Sequence, residues 1–141
     1  MITPAPTILI VDDDLPTLLL LRRMLLPLAP NTEIIPTNDG AAALAVLAER
    51  PVSLVITDYK MPGMNGVQLA RAIKAASPAT RVAIISVHDV YPIAQEAQAL
   101  GIEYVLPKPF VPLQIKQMID ESIPFQEREG GRYGHPNDSG Y

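Results

Sequence analysis

Apolar residues in this chain fall into short continuous runs that alternate with segments of helical period. Thr7–Val11 is one such run and stops at Asp12-Asp13-Asp14; a strand covered on both faces reads this way. Asp14 before Leu15-Pro16 has the chemistry of a helix N-cap with proline in the first turn. A helix is therefore predicted to about Leu26, stopped by Pro27 and Pro30. Leu18-Leu19-Leu20-Leu21 is apolar on more than one helical face, which leaves one or two leucines for solvent or a partner. Thr32–Thr37 predicts a second strand, and Pro36 within it marks an edge. Asn38-Asp39-Gly40 caps a helix over Ala41–Glu49, and Pro51 leads into a central strand over 53–57.

The same alternation continues to residue 122. Met61-Pro62-Gly63 and Asn65-Gly66 are turn chemistry, followed by a helix over Gly66–Ala76 with Val67, Leu69, Ala70 and Ile73 in helical period. Arg81–Ile85 is another apolar strand and ends on Ser86. Residues 89–100 predict a helix closed by Gly101, and Ile102–Leu106 a last strand ending in Pro107-Lys108-Pro109. A final helix from about Pro112 to Ser122 puts Ile115, Met118 and Ile119 on one face. Strand then helix, five times over with short connections, means an α/β fold: a parallel sheet with helices on both faces and right-handed crossovers. Residues 1–6 read as an N-terminal extension, 7–123 as the domain and 124–141 as a disordered tail without apolar period.

Composition narrows the function more than the fold. A length of 141 residues with 48% hydrophobic positions suits one domain with a proper core. The net charge is −4 and no long basic run occurs, which argues against a nucleic-acid surface. The chain has no cysteine, so disulfides, thiolate zinc sites and thiol nucleophiles are excluded. Met1–Pro6 carries no basic leader, Ile8–Val11 is too short for a signal peptide, and no apolar stretch approaches the ~18 residues of a membrane span. A cytoplasmic location is expected.

Four of the strands end on a polar residue at one edge of the sheet: Asp12 and Asp13, then Asp58, Ser86 and Lys108. Ligands of open α/β sheets bind at this carboxyl edge. Two carboxylates ~4 Å apart repel by about 4 kcal/mol at a typical effective dielectric, so three of them need a cation or a raised pKa. A hard, oxygen-rich site with no histidine or cysteine nearby suits Mg²⁺ beside phosphate oxygens, and Lys108 adds a point charge for phosphate. A carboxylate facing metal, ammonium and hydroxyl is arranged to attack phosphorus and form an aspartyl phosphate.

With Asp12-Asp13, Asp58-Tyr59-Lys60-Met61-Pro62-Gly63-Met64-Asn65-Gly66, Ser86 and Lys108-Pro109-Phe110 in this order, the chain resembles the receiver domain of two-component response regulators. The resemblance covers residues 7–123. It implies a flavodoxin-like, doubly wound five-stranded parallel sheet of order 2-1-3-4-5, with the site at the switch between the first and third strands. It also implies a phosphoacceptor signalling module rather than a turnover enzyme. Asp58 would accept a phosphoryl group from a sensor histidine kinase or histidine phosphotransfer protein. Asp13, Asp58 and the backbone carbonyl of Lys60 would ligate Mg²⁺, with Asp12 helping through water. Ser86 and Lys108 would hold the phosphoryl oxygens, and the Lys108-Pro109 bond would be cis. An output partner protein is implied without being named and a homodimer is left open; about eighteen residues follow the last helix, which reads as a single-domain regulator or as a receiver cut from a longer protein.

Two positions depart from the family pattern. Val105 stands where an aromatic switch residue is usual, and Tyr104 beside it should face the other side of the sheet. Val87 replaces the small residue that normally follows the hydroxyl and narrows the mouth of the site. Lys60 and His88 sit where family members tune phosphate lifetime, yet read first as exposed loop residues; His135 in the tail reads as inert. Asp12-Asp13-Asp14 also resembles the Asp-x-Asp opening of haloacid dehalogenase-type phosphatases, although Pro16 stands where a Thr or Val is usual and the length leaves no room for a cap. A receiver-shaped scaffold that binds without phosphorylation is the third alternative.

Overall fold

The structure, a computed structural model, describes residues 4–87, 90–109 and 111–124. His88, Asp89, Phe110 and the predicted tail from 125, with His135, lie outside the described residues. In chain order the elements are β1 (Thr7–Val11), α1 (Leu15–Leu25), a 3-10 turn (Leu26–Leu28), β2 (Glu33–Thr37), α2 (Gly40–Glu49) and β3 (Leu54–Asp58). Then come α3 (Gly66–Ala76), β4 (Arg81–Ser86), α4 (Val90–Ala99), β5 (Tyr104–Pro107) and α5 (Pro112–Ser122). All strands are parallel in the order β2-β1-β3-β4-β5, as the resemblance implies, so the order reverses between β1 and β3. Among the described residues no helix is long and apolar enough to cross a membrane.

The continuous apolar runs are continuous because each strand feeds two cores. Ile8 and Ile10, Leu54 and Ile56, Ala83 and Ile85 point to one face and meet Leu18, Leu21 and Leu25 of α1 with Ile115, Met118 and Ile119 of α5. Leu9 and Val11, Val55, Val82 and Ile84 point to the other and meet Ala43 of α2, Val67, Leu69 and Ile73 of α3, and Ile93 and Ala97 of α4. Alternation carries through β5, where Tyr104 and Leu106 join the α1/α5 side and Val105 the α2/α3/α4 side. Tyr104 thus faces away from α4, as its register requires. Pro36 sits in β2, at the edge of the sheet, opposite Ile10.

Helix starts follow their caps. Asp14 accepts the Thr17 N–H at 3.1 Å, Asp39 accepts the Ala42 N–H at 2.7 Å, and Asn65 with Gln68 forms a reciprocal capping box at α3. Of the four consecutive leucines of α1, Leu18 and Leu21 are buried while Leu19 and Leu20 are exposed, Leu20 by 68%, so two stay outside as the sequence indicates; Leu15 is exposed as well. The helix rests on one face of the sheet, and Leu18, Leu21 and Leu25 already fill that stripe.

The last strand also starts later than its apolar pattern indicates, at Tyr104 rather than Ile102. Ile102 belongs to the closure of α4: its N–H donates to the Ala97 carbonyl at 3.0 Å past Gly101, which takes φ 74. Glu103 then spends its side chain where a strand would use backbone. One carboxylate oxygen accepts the Val82 N–H at 2.9 Å, and the other pairs with Lys74 Nζ at 2.6 Å. Lys74 also donates to the Thr80 carbonyl at 2.7 Å, so α3, β4 and β5 are tied together at the amino-terminal edge of the sheet.

Burial alone pushes the Glu103 carboxyl up, but the Lys74 and Val82 hydrogen bonds outweigh it and leave the pKa below the ordinary value. A depressed carboxylate stabilises the fold above its unfolded pKa and loses that stabilisation as pH falls through the folded one. Glu103→Gln is therefore expected to cost about 1–2 kcal/mol near neutrality, the worth of charge-assisted hydrogen bonds. The difference from wild type should shrink below the usual carboxylate range. Urea denaturation of both proteins across the acid range measures it, and a pH-independent difference would contradict the assignment.

Candidate functional site

The carboxyl ends of β1, β3, β4 and β5 converge on one open cavity of about 540 Å³ lined by Asp13, Asp58, Lys60, Met61, Pro62, Val87 and Lys108. Each strand arrives there through a specific backbone tie. The Asp12 N–H donates to the Thr37 carbonyl at 3.2 Å, and the Tyr59 N–H to the Ile85 carbonyl at 2.9 Å. The Lys108 N–H donates to the Ser86 carbonyl at 2.8 Å. The Lys108-Pro109 bond is cis.

The run of three acids after β1 is divided among three environments. Asp12 is buried, only 2% exposed, and accepts the Asp14 N–H at 2.9 Å. Asp13 is exposed and lines the cavity. Asp14 turns away to cap α1, bonding both the backbone N–H and the hydroxyl of Thr17, which holds its carboxyl below the usual range. An Asp-x-Asp pair working as one phosphatase motif is therefore not what this loop presents.

Asp12, Asp13 and Asp58 offer carboxylate oxygens that all lie within 4.8 Å of one another. Lys108 stands between two of them, its Nζ 3.1 Å from Asp58 Oδ1 and 3.6 Å from Asp12 Oδ2. Burial raises the Asp12 pKa, and the charges of Asp58 and Asp13 add to that, while the Asp14 N–H and Lys108 pull it down. Such a cluster, deficient in positive charge by more than one ammonium can supply, could bind a metal ion.

The structure thus brings Asp12, Asp13, Asp58, Lys60 and Lys108 together, and places Ser86 buried at the last position of β4, opposite Pro107 of β5. Lys60 is an exposed loop residue at the cavity wall, and Val87 stands at the mouth as the sequence indicates. Gly66 has a second role that turn chemistry alone does not announce. Its N–H donates to the Tyr59 carbonyl at 2.7 Å, and a Cβ there would lie 2.7 Å from the Asp58 carbonyl oxygen and 3.0 Å from Tyr59 Cα. Helix α3 can pack this close behind Asp58 only on a glycine. Asn65-Gly66 before an apolar helical period was the only signal available.

A doubly wound sheet of this order, with acids and a lysine at its switch point, defines a class of α/β signalling domains. Residues 8–120 match the response regulator receiver domain. The chain belongs to that family, and its members are signalling modules of two-component systems. It is 34% identical over 116 residues to the "Probable chemotaxis protein CheY" of Rhizobium etli, covering 80% of this chain and 88% of that protein. It is 36% identical over 123 residues to the virulence sensor protein BvgS of Bordetella pertussis, covering 82% of this chain but only 10% of that protein. The chain therefore spans about a tenth of the length of that larger relative. Among solved structures, a response regulator receiver domain protein from Clostridium thermocellum superposes with a TM-score of 0.77 at 26% identity, over 83% of this chain and 93% of that one.

Because Gly66 abuts backbone rather than a flexible side chain, Gly66→Ala is expected to destabilise the domain by about 1–3 kcal/mol, the usual cost of overpacking. It should also move the amide resonances of Asp58 and Tyr59. Chemical denaturation and a two-dimensional amide spectrum check both, and an unperturbed Asp58 amide would mean that α3 simply recoils from the site.

Proposed function

We propose that this chain is the phosphoacceptor of a phosphorelay, taking a phosphoryl group onto Asp58 from a phosphohistidine on a sensor histidine kinase or histidine phosphotransfer protein. The observation that carries this reading is the pairing of Asp58 with Lys108 at 3.1 Å on the wall of an open cavity that Asp13 shares. An Asp58 oxygen attacks phosphorus, and the P–N bond breaks with its electron pair left on the imidazole nitrogen. The product is an acyl phosphate on Asp58. Lys108 then follows a phosphoryl oxygen, and the Ser86 hydroxyl, at the end of β4, turns toward another. The BvgS relative, named as a sensor protein, supports a kinase as the source.

Mg²⁺ fits the donor set, which is made of carboxylate oxygens and holds no thiolate. Asp12, Asp13, Asp58 and the Lys60 carbonyl would hold it. When bound, it would offset negative charge gathering on the phosphoryl oxygens.

A phosphoryl group brings about −1.5 to −2 charge to the end of the sheet, so the response should begin at Ser86 and Lys108 and pass into α4 and β5. Val105 offers no ring to fill space on the α4 side, and Tyr104 is engaged on the opposite face through Glu121 at 2.5 Å. Little rotameric change is therefore expected at 105, whose β-branched side chain is stiff.

Three outcomes test the reading. Mg²⁺ at millimolar concentration should shift the amides of Asp13, Asp58 and Lys60 and few others; no shift there would remove the metal from the mechanism. Acetyl phosphate or beryllofluoride with Mg²⁺ should modify Asp58 alone, and Asp58→Asn should abolish the modification in a folded protein. Lys108→Ala should keep some labelling while losing the accompanying amide shifts in α4 and β5. Label found on Asp12 by peptide mapping would support a phosphatase-type site instead.

A further inference from the structure

Asn65-Gly66 is the one Asn-Gly pair in the chain, and it stands where α3 begins behind Asp58. An asparagine before glycine is open to attack by the following backbone nitrogen, because glycine has no Cβ to hinder the approach. The Gly66 nitrogen gives up its proton and bonds to the carbonyl carbon of the Asn65 side chain, and ammonia leaves. One water then opens the five-membered imide at either of its two carbonyls. One opening yields an ordinary α-linked Asp. The other yields a β-linked residue whose main chain runs through the former side chain and is one carbon longer.

The fold opposes ring closure in three ways. A near-planar imide needs the Asn65 Cβ eclipsed with the Gly66 nitrogen about the Cα–C bond, whereas Asn65 is extended, with φ −80 and ψ 173. The Gly66 N–H is committed to the Tyr59 carbonyl at 2.7 Å. The Asn65 side chain accepts the Gln68 N–H at 2.9 Å while the Gln68 side chain accepts the Asn65 N–H at 2.8 Å, so the cap resists rotation from both ends. Closure must wait for the β3–α3 junction to open. The two products then differ in what they do to the site. A Cβ on Gly66 would already lie 2.7 Å from the Asp58 carbonyl oxygen, so an added main-chain carbon before Gly66 must move Asp58 or α3. An α-linked Asp keeps the main chain and is itself a good N-cap. We infer that Asn65 is a self-modification site, held unreactive by the α3 cap and released when the β3–α3 junction opens, whose β-linked product displaces Asp58 and whose α-linked product spares it. Only the loss of phosphoacceptance in the β-linked form rests on the phosphoacceptor reading above.

Wild type and Gln68→Met are incubated at mildly alkaline pH, native and in urea. Conversion of Asn65 is followed by peptide mass, and the two products are separated by reversed-phase chromatography. Gln68→Met keeps the side-chain length and helix propensity at an exposed position and removes the acceptor. Native wild type should convert at least about tenfold more slowly than in urea, since the rate follows the open fraction. Native Gln68→Met should convert about three- to tenfold faster than native wild type, the worth of one hydrogen bond, with no difference in urea. Equal native and urea rates in wild type would overturn the protection, as would a native Gln68→Met no faster than wild type. Whole chains converted in urea and returned to buffer supply both products. The α-linked form, like Asn65→Asp made directly, should keep the Asp58 and Tyr59 amide positions and take label from acetyl phosphate with Mg²⁺. The β-linked form should lose both, or fail to refold where the α-linked form succeeds. Unmoved Asp58 and Tyr59 amides in the β-linked form would sink the displacement. If unmodified wild type takes no label while those amides move, the phosphoacceptor reading falls and the Asn65 site stands.

Discussion

Three carboxylates held within 4.8 Å of one another are a charge concentration that the protein must keep together against its own repulsion. Each is fixed by a different means. Asp12 is locked by burial and the Asp14 N–H, Asp13 is left facing solvent, and Asp58 is seated at the end of a central strand with α3 pressed behind it on Gly66. Lys108 offsets part of the repulsion but reaches two acids with a single charge. The remaining imbalance is what would let the cluster bind a cation. A doubly wound sheet serves this well, because at the switch point the helices diverge and leave the acids room to face outward.

Much of this was legible in the sequence, for reasons that particular residues make clear. The strands β1, β3 and β4 are apolar on both faces, and an uninterrupted run of five or six such residues ending on Asp or Ser has few other readings. The side taken by Tyr104 followed from alternation against Val105. The errors come from residues whose type does not report their surroundings. Ile102 looks like strand but closes a helix, and its neighbour Glu103 does with a carboxylate what backbone would normally do. That one or two of the consecutive leucines of α1 would stay outside was legible, but not that they would be Leu19 and Leu20, since Leu18, Leu21 and Leu25 fill the stripe. The division of labour among Asp12, Asp13 and Asp14 was equally hidden, since three identical side chains are told apart only by where the backbone turns.

Of the two departures from the family pattern, Val87 lines the mouth of the site and Val105 lies on the side of the sheet that α4 covers. Val105 takes the place of a ring there, while the ring at 104 is committed to Glu121 and to Arg81 at 3.4 Å on the α1/α5 side. The departures therefore touch both the core beneath α4 and the mouth of the acid and lysine cluster.

The latch of Lys74, Glu103 and the Val82 N–H bears on the site in a mechanical sense as well. β5 is a four-residue edge strand, paired on one side only, and Lys108 projects from its far end. Glu103 lies five residues back along the chain, roughly 17 Å at the rise of a strand. The ammonium is thus carried at the tip of a cantilever clamped at the opposite edge of the sheet, with the Tyr104 hydroxyl bracing it to α5 partway along. That cation is held from two ends: by the clamp at Glu103, which never meets the chemistry, and by the Lys108 N–H bond to the Ser86 carbonyl beside it.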